Sequence, residues 1–401
     1  MRTLSLLIIS SLLFLLSCNN PKSGFETIHI NKYSGSVDLK LSDIISDIRI
    51  VPIETSDKSI VTGNMIAISD DYIVVADYDF INIYNKNGDY IRKVAERGNG
   101  PEEFNAIYSI FLDSDTNILY FTERDGKISR INLDDNKRLE PIITELYPYA
   151  IASSDRNNNL YLLKSGTISS LDPLWNDSTL LFATYNTITS QTNVVRSDHL
   201  LTNNNTASGI YPYKDNLYFI NRNYTDTLYR ITADNKLDPI ADIIINNEQT
   251  DGDEGGETIF LNLIGDVGFI LSHINIEVTT IHYEGGGYSS SRNPKVLDYF
   301  LYKNRADLKR VNSVTYDIFG INRAISEYIR QNEEGKSLIP VFPIRSGKYA
   351  YYKLEAFKMM ELLEFALEEG KLNSSEKEYL GAILDSLNED DNPVLIIGKI
   401  K

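Results

Sequence analysis

The stretch Ile107–Leu133, IYSIFLDSDTNILYFTERDGKISRINL, holds three short apolar runs separated by two tight turns. Asp113–Asn117 is rich in residues whose side chains bond their own backbone, and Arg124–Gly126 turns the chain again. Runs that alternate in polarity between turns this dense predict an antiparallel meander. The same pattern returns in Ser153–Leu171 and in Tyr211–Ile231, and Tyr120 and Tyr161 lie 41 residues apart (161 − 120). A meander that repeats every 40–50 residues or so is the sequence signature of a propeller blade. The expected fold is therefore all-β, a ring of radial blades. At 401 residues the chain is long for one domain, but radial repeats permit that size without a division.

Taken in order, Phe25–Tyr33 alternates and predicts an edge strand. Leu39–Thr55 predicts a helical turn at Ser42-Asp43, then a strand over Ile48–Ile53. Ile60–Lys93 predicts a first full blade, whose Asn87-Gly88 is a strong hairpin signal. The second and third blades are the first two repeats, the third running on through Leu174–Thr189 with Trp175. Asn193–Thr206 is expected to be a loop, Ser208–Ile245 a fourth blade and Thr258–Tyr302 a fifth, with a hairpin tip at Glu284–Ser291. Val311–Gly320 is expected to begin the sixth, and Ile321–Glu334 carries a modest helical pattern. In Leu354–Leu372 the apolar period changes to three and four, which is an amphipathic helix. Asn373-Ser374-Ser375-Glu376 is a capping signal for a second helix to Leu387. A helical hairpin over about 354–388 thus interrupts the last blade before VLIIGKI, a final strand that should pair with the other terminus to close the ring. Six meanders can be counted on this reading; five and seven remain open.

The N-terminus reads as a processing segment. Met1-Arg2-Thr3 is a short positive region and Leu4–Leu16 an apolar run too short to span a bilayer. Leu15-Leu16-Ser17-Cys18 then ends in the protein's one cysteine. That arrangement resembles a bacterial lipoprotein signal: residues 1–17 a signal peptide, Cys18 the lipid attachment point, 18–24 a tether, and 25–401 the propeller. The expected address is the cell envelope, with the chain anchored in the outer membrane by its lipid. The polar CNNPKSG has no acidic cluster, which favours the periplasmic face. A single cysteine allows no intramolecular disulfide, so packing and ring closure must stabilise the fold. The net charge of −17, or −18 once Arg2 is removed with residues 1–17, argues against nucleic acid and against a broad grip on anionic lipid.

No motif carries a complete chemistry. Asp113-Ser114-Asp115 begins like a calcium loop, but Ile118 stands where glycine is needed and Arg124 where a bidentate Glu is needed. The four histidines fall at no metal-ligand spacing, and there is no Gly-x-Ser-x-Gly or His-Glu-x-x-His. Gly98-Asn99-Gly100-Pro101-Glu102-Glu103 lacks the third glycine of a dinucleotide loop and reads as a tight inter-blade turn plugged by Phe104. The residues of interest flank expected strand ends at one rim: Asp77, Asp79, Arg97, Glu102, Glu123, Arg124, Asn221 and Arg222. Such carboxylates and amides can hold a polar ligand, and Ca²⁺ is the ion that hard oxygen ligands would select. Ordinary turn chemistry is the competing account for each of them, so no cofactor is expected.

IVPIET (Ile50–Thr55), YIVVAD (Tyr72–Asp77), NGDYIRKV (Asn87–Val94), RGNGPEEF (Arg97–Phe104) and EDDNPVLIIGKIK (Glu389–Lys401) together resemble the six-bladed β-propeller lipoproteins of Bacteroidetes. The resemblance implies six blades and closure by the terminal strands. It implies no catalytic residue. The resulting expectation is a lipid-anchored binding module for a small molecule, a glycan or an envelope protein. The alternatives are a metal-dependent lactonase-like hydrolase acting in the channel and a carbohydrate-binding accessory of a glycan-uptake system.

Overall fold

The computed structural model describes residues 26–61, 63, 65–100, 103–123, 126–144, 148–154, 157–164, 180–196, 209–213, 216–221, 225–244, 257–264, 268–282, 288–302, 307–315, 348–369 and 372–401. Their strands form six small sheets, the blades of a six-bladed β-propeller. The first three strands, β1 (Glu26–His29), β2 (Ser36–Lys40) and β3 (Ile45–Pro52), do not begin the ring but serve the last three blades. Blade one is β4 (Met65–Ile68), β5 (Tyr72–Ala76), β6 (Phe80–Asn85) and β7 (Tyr90–Glu96). Blade two is β8 (Ile107–Asp113), β9 (Ile118–Glu123), β10 (Lys127–Asn132) and β11 (Lys137–Ile143), and blade three β12 (Pro148–Ser154), β13 (Asn157–Lys164), β14 (Leu180–Asn186) and β15 (Thr192–Arg196).

Blade four is β16 (Gly209–Tyr213), β17 (Asn216–Asn221), β18 (Thr225–Ile231) and β19 (Leu237–Ile244), with β1 added in parallel beside β19. Blade five is β20 (Glu257–Ile264), β21 (Gly268–His282), β22 (Tyr288–Tyr302) and β23 (Leu308–Thr315), with β2 parallel beside β23. Blade six joins β24 (Tyr349–Leu354) and β25 (Val394–Ile400) to β3, which pairs antiparallel with β25. The third strand from the N-terminus and the last strand thus lock together, so segments from the two terminal regions close the ring as expected. The N-terminal segment also covers the outer edges of β19 and β23, which would otherwise present unpaired ladders.

Each seam between blades has its own apolar cluster, because alternation along a strand sends successive side chains to opposite neighbours. Val74, Ile83, Ile110, Leu112 and Phe121 join blades one and two. Phe111, Tyr120, Ile151 and Leu160 join two and three, while Tyr161, Phe182, Ile210 and Phe219 join three and four. Tyr218, Leu228, Phe269 and Leu301 join four and five. Ile66, Ile73, Tyr84, Tyr351 and Leu395 close six onto one. Between five and six the seam is thicker. The hairpin of α2 (Ala356–Glu369) and α3 (Ser374–Ser386), which follows the single-turn α1 (Leu41–Ile44) in the chain, inserts Met359, Leu362, Leu363 and Leu380 among Phe300, Val311, Ala350 and Ile396. The α3 cap forms as the sequence predicts: the Asn373 side chain accepts from the Glu376 N–H and the Glu376 carboxylate accepts from the Asn373 N–H.

Turns take the residues their backbones demand. Asn117, Asn136 and Asn235 adopt positive φ, and Gly88 sits at φ +93. A Cβ on Gly88 would lie 2.0 Å from the Pro52 carbonyl oxygen, so the Asn-Gly turn of blade one needs glycine to dock against β3.

Four expectations change. The third strand of blade three is β14, not the Gly166–Leu171 stretch, which lies outside the described residues. Within Asn193–Thr206, expected to be a loop, residues up to Arg196 belong to β15. Val311–Thr315 completes blade five rather than beginning blade six, pairing with β2. Tyr288–Ser291 is paired strand, registered from Tyr288↔His282 to Ser291↔Thr279. In the last three cases a polar or serine-rich run is held in a ladder by its partner, a tertiary override of weak local propensity. Trp175 and Ile321–Glu334 lie outside the described residues.

Candidate functional site

Strand direction sorts the connections of the ring onto two ends. The inner strands β4, β8, β12, β16 and β20 are neighbours around the axis. The first-to-second and third-to-fourth turns of blades one to five therefore lie at one end, and all of these span only two to five residues. At the other end lie the second-to-third turns and the links between blades. Here the intervals between strand ends widen to 53–64, 97–106, 165–179, 197–208 and 245–256. Blade six obeys the same rule. The Tyr349 hydroxyl and Lys399 Nζ (3.4 Å) meet Asp70 in the β4–β5 turn, while Lys353 Nζ reaches the Gly63 carbonyl at 3.2 Å just before β4. The strand β24 thus runs like a second strand, and the helical hairpin between β24 and β25 leaves from the long-connection end before folding back into its seam. The hairpin of β21 and β22 rises there as well: β21 is paired with β20 only as far as Asn275, yet continues with β22 to His282.

The sequence-derived rim residues lie at this end, but in separate places. Asp77 follows β5 and is buried; its Oδ1 accepts the Asp79 and Phe80 N–H groups at 2.8 Å each, a turn built on its own backbone. Asp79 is exposed; its carbonyl accepts the Arg97 N–H at 2.7 Å, and its carboxylate stands 4.0 Å from Arg97 Nη1. With both side chains mostly in water, that ion pair contributes little. Glu123, the buried last residue of β9, accepts from the Ser129 hydroxyl and from Lys127 Nζ at 3.0 Å, within the seam toward blade one. Asn221 ends β17 opposite Thr225. Glu102, Arg124 and Arg222 lie outside the described residues, as does Cys18. The structure therefore brings Asp77, Asp79 and Arg97 together and keeps Glu123 apart. Among the described residues no three His, Cys, Asp or Glu side chains gather as an ion's ligand set.

Three participants were missed from sequence. Lys127 neutralises Glu123 from four residues on, a spacing that gives no signal in a strand. Tyr78, at the tip of the Asp77–Asp79 turn, is 80% exposed, the most exposed large hydrophobic side chain among the described residues. An aromatic flanked by two turn aspartates was the available clue. Lys353, the third, lies in a strand whose direction only the tertiary contacts reveal.

The two most specific motifs turn out to be joints. In Arg97–Phe104 the Gly98 N–H donates to the Phe104 carbonyl (3.0 Å) and the Gly100 N–H to Glu103 Oε2 (2.7 Å). This folds the link so that Phe104, 1% exposed, packs edge-on against Phe121 at 6.2 Å. Near the C-terminus the buried Asn392 donates to the Glu54 and Ser59 carbonyls (2.8 and 2.6 Å) and accepts the Val61 N–H (2.8 Å). Its own N–H donates to Thr55 Oγ1 at 2.7 Å. One side chain thus ties the start of β25 to the whole link from blade six to blade one.

The profile of a domain of unknown function, DUF4934, matches residues 25–399. The chain belongs to the DUF4934 family. No curated protein sequence matches it. Among solved structures it is similar to a "putative exported protein" of Bacteroides fragilis, at 14% identity and TM-score 0.60, covering 94% of this chain and 99% of that one. It is also similar to a member of the DUF4221 family from Bacteroides vulgatus, at 9% identity and TM-score 0.45, covering 89% and 97%. At such identities the first likeness concerns the fold alone. No described helix of this DUF4934 protein is long and apolar enough to cross a membrane.

Proposed function

We propose that this DUF4934 chain is a lipid-anchored binding module of the bacterial envelope that receives its partner at the long-connection end of the ring. The observation that supports this most is the inequality of the two ends. Ten turns of two to five residues close one end, while strand ends at the other are separated by five intervals of ten to fifteen residues and it carries the raised β21–β22 hairpin, the exposed Tyr78 and the Asp79–Arg97 pair. A rigid scaffold that confines chain length to one end is how loops are held for recognition. The lipid reading rests on Leu15–Cys18 and on the apolar run before them.

The test places a photoreactive side chain at Tyr78, or at Asn87 on the short-turn end, in wild-type and Cys18→Ser chains in the native host. Wild type should fractionate with the envelope and crosslink to a partner from position 78 but not from 87, and Cys18→Ser should leave the membrane fraction. Equal crosslinking from both positions would remove the assignment of the binding end. Membrane retention of Cys18→Ser would remove the anchor.

A further inference from the structure

The outer face of α2 combines exposed aromatic rings with a dense set of carboxylates. Phe357 and Phe365 are each 43% exposed, eight residues apart and so about 12 Å along one helix face. At 3.6 residues per turn, Glu361, Glu364 and Glu368 fall within the same arc, beside and between the two rings. The opposite face carries Met359, Leu362, Leu363 and Ala366, all fully buried in the seam between blades five and six. The helix is therefore held rigidly, and its aromatic face is presented rather than loose. The surrounding segment is strongly acidic. Residues 355–391 hold eleven Asp or Glu against three Lys, a net −8 of the chain's −17.

We infer that this helix face is a docking surface for a protein partner whose contact site sets Lys or Arg around an apolar socket. Two phenylalanines at two-turn spacing are anchor residues of the helix-in-groove kind. The carboxylates around them select a basic rim and raise the rate of encounter. Charge argues against the other occupants. A second copy of a chain at −17 would bring like charge to like charge, and an anionic bilayer would repel the acidic stripe. This surface is separate from the Tyr78 rim, so failure here leaves the reading of the long-connection end untouched, and failure there leaves this one untouched.

The test uses the mature chain carrying Cys18→Ser and two synthetic peptides. One is a Leu/Lys peptide patterned as an amphipathic helix; the other has the same composition in scrambled order. The patterned peptide should bind about tenfold or more tightly than the scrambled one, with an affinity that falls as salt rises. F357A/F365A should abolish the preference while keeping the thermal midpoint, since both rings face water. If that midpoint falls, E364K/E368K asks the same question: it should reverse the preference toward a patterned Leu/Glu peptide. Equal binding of the two peptides, a preference that survives F357A/F365A, or no reversal in E364K/E368K would each overturn the inference. So would a reversible dimer in sedimentation, or binding to phosphatidylcholine vesicles, that vanishes in F357A/F365A, because these assign the face to a second copy or to lipid.

Discussion

Blades one and two are assembled from contiguous chain, whereas blades five and six are assembled from pieces at opposite ends of it. In blade two, β8 to β11 follow each other within Ile107–Ile143, and Phe104 in the preceding link plugs the seam to blade one. In blade six, β25 lies between β24 and a strand some 350 residues earlier, and its seam to blade five is filled by helices rather than by strand faces alone. Loop-closure entropy must be overcome before the second kind of contact stabilises anything, so the ring is expected to form its early blades first and to gain its full stability only on closure. The difference teaches that contacts between distant parts of the chain are concentrated at the closing joint, while the recognition proposed above belongs to the long connections beside it.

The strongest way to break that comparison is to delete Val394–Lys401. The strand β25 is central in its sheet and nearly all buried, so its loss frees both β24 and β3 and opens the seam to blade one. The truncated protein should lose its cooperative thermal transition or its solubility, read by calorimetry and light scattering. A retained transition near the wild-type midpoint would mean that the ring does not depend on closure.

A smaller and sharper change is Asn392→Ala. It leaves every strand in place but removes three side-chain bonds to the link of residues 54–61: the Val61 N–H loses this acceptor, and the Glu54 and Ser59 carbonyls keep only the Ser59 and Tyr84 hydroxyls as donors. The expected destabilisation is about 2–4 kcal/mol by chemical denaturation. A change below about 0.5 kcal/mol would show that this motif is not the joint described above.

The smallest effect belongs to Asp70, which bridges blade one to Tyr349 and Lys399 of blade six. The Tyr349 hydroxyl bond, helped by Lys399 and Lys348, holds the Asp70 carboxyl below its ordinary value of 3.8. A depressed carboxyl contributes stability that is present above pH 3.8 and is lost as pH falls through the lower folded value. Because the pair is substantially exposed, Asp70→Asn should cost only a few tenths of a kcal/mol, about the size of a surface pair. The deficit should stay constant at neutral pH and disappear in strong acid. A deficit that persists unchanged in acid would assign the effect to packing instead.

Much of the architecture follows from local pattern. Period-two alternation, Asn and Gly in turns, the change of period at Leu354 and the cap at Asn373–Glu376 are all consequences of nearest-neighbour chemistry, so the blades, the helical hairpin and the terminal closure could be read directly. The same is true of Arg97–Phe104 as a turn and of Asp77 as a turn former, since each acts on its own backbone. The rest was decided by partners distant in the chain. That β1 and β2 would become outer strands of blades four and five depends on the open edges of β19 and β23, which no local window contains. That Glu123 would face Lys127 and Ser129 depends on register, where one residue of slip exchanges the two sides of a blade. Whether a set of rim residues forms one site or several depends on strand direction around a closed ring. Only the tertiary structure fixes that, because alternation says which side chains share a face but not which faces meet.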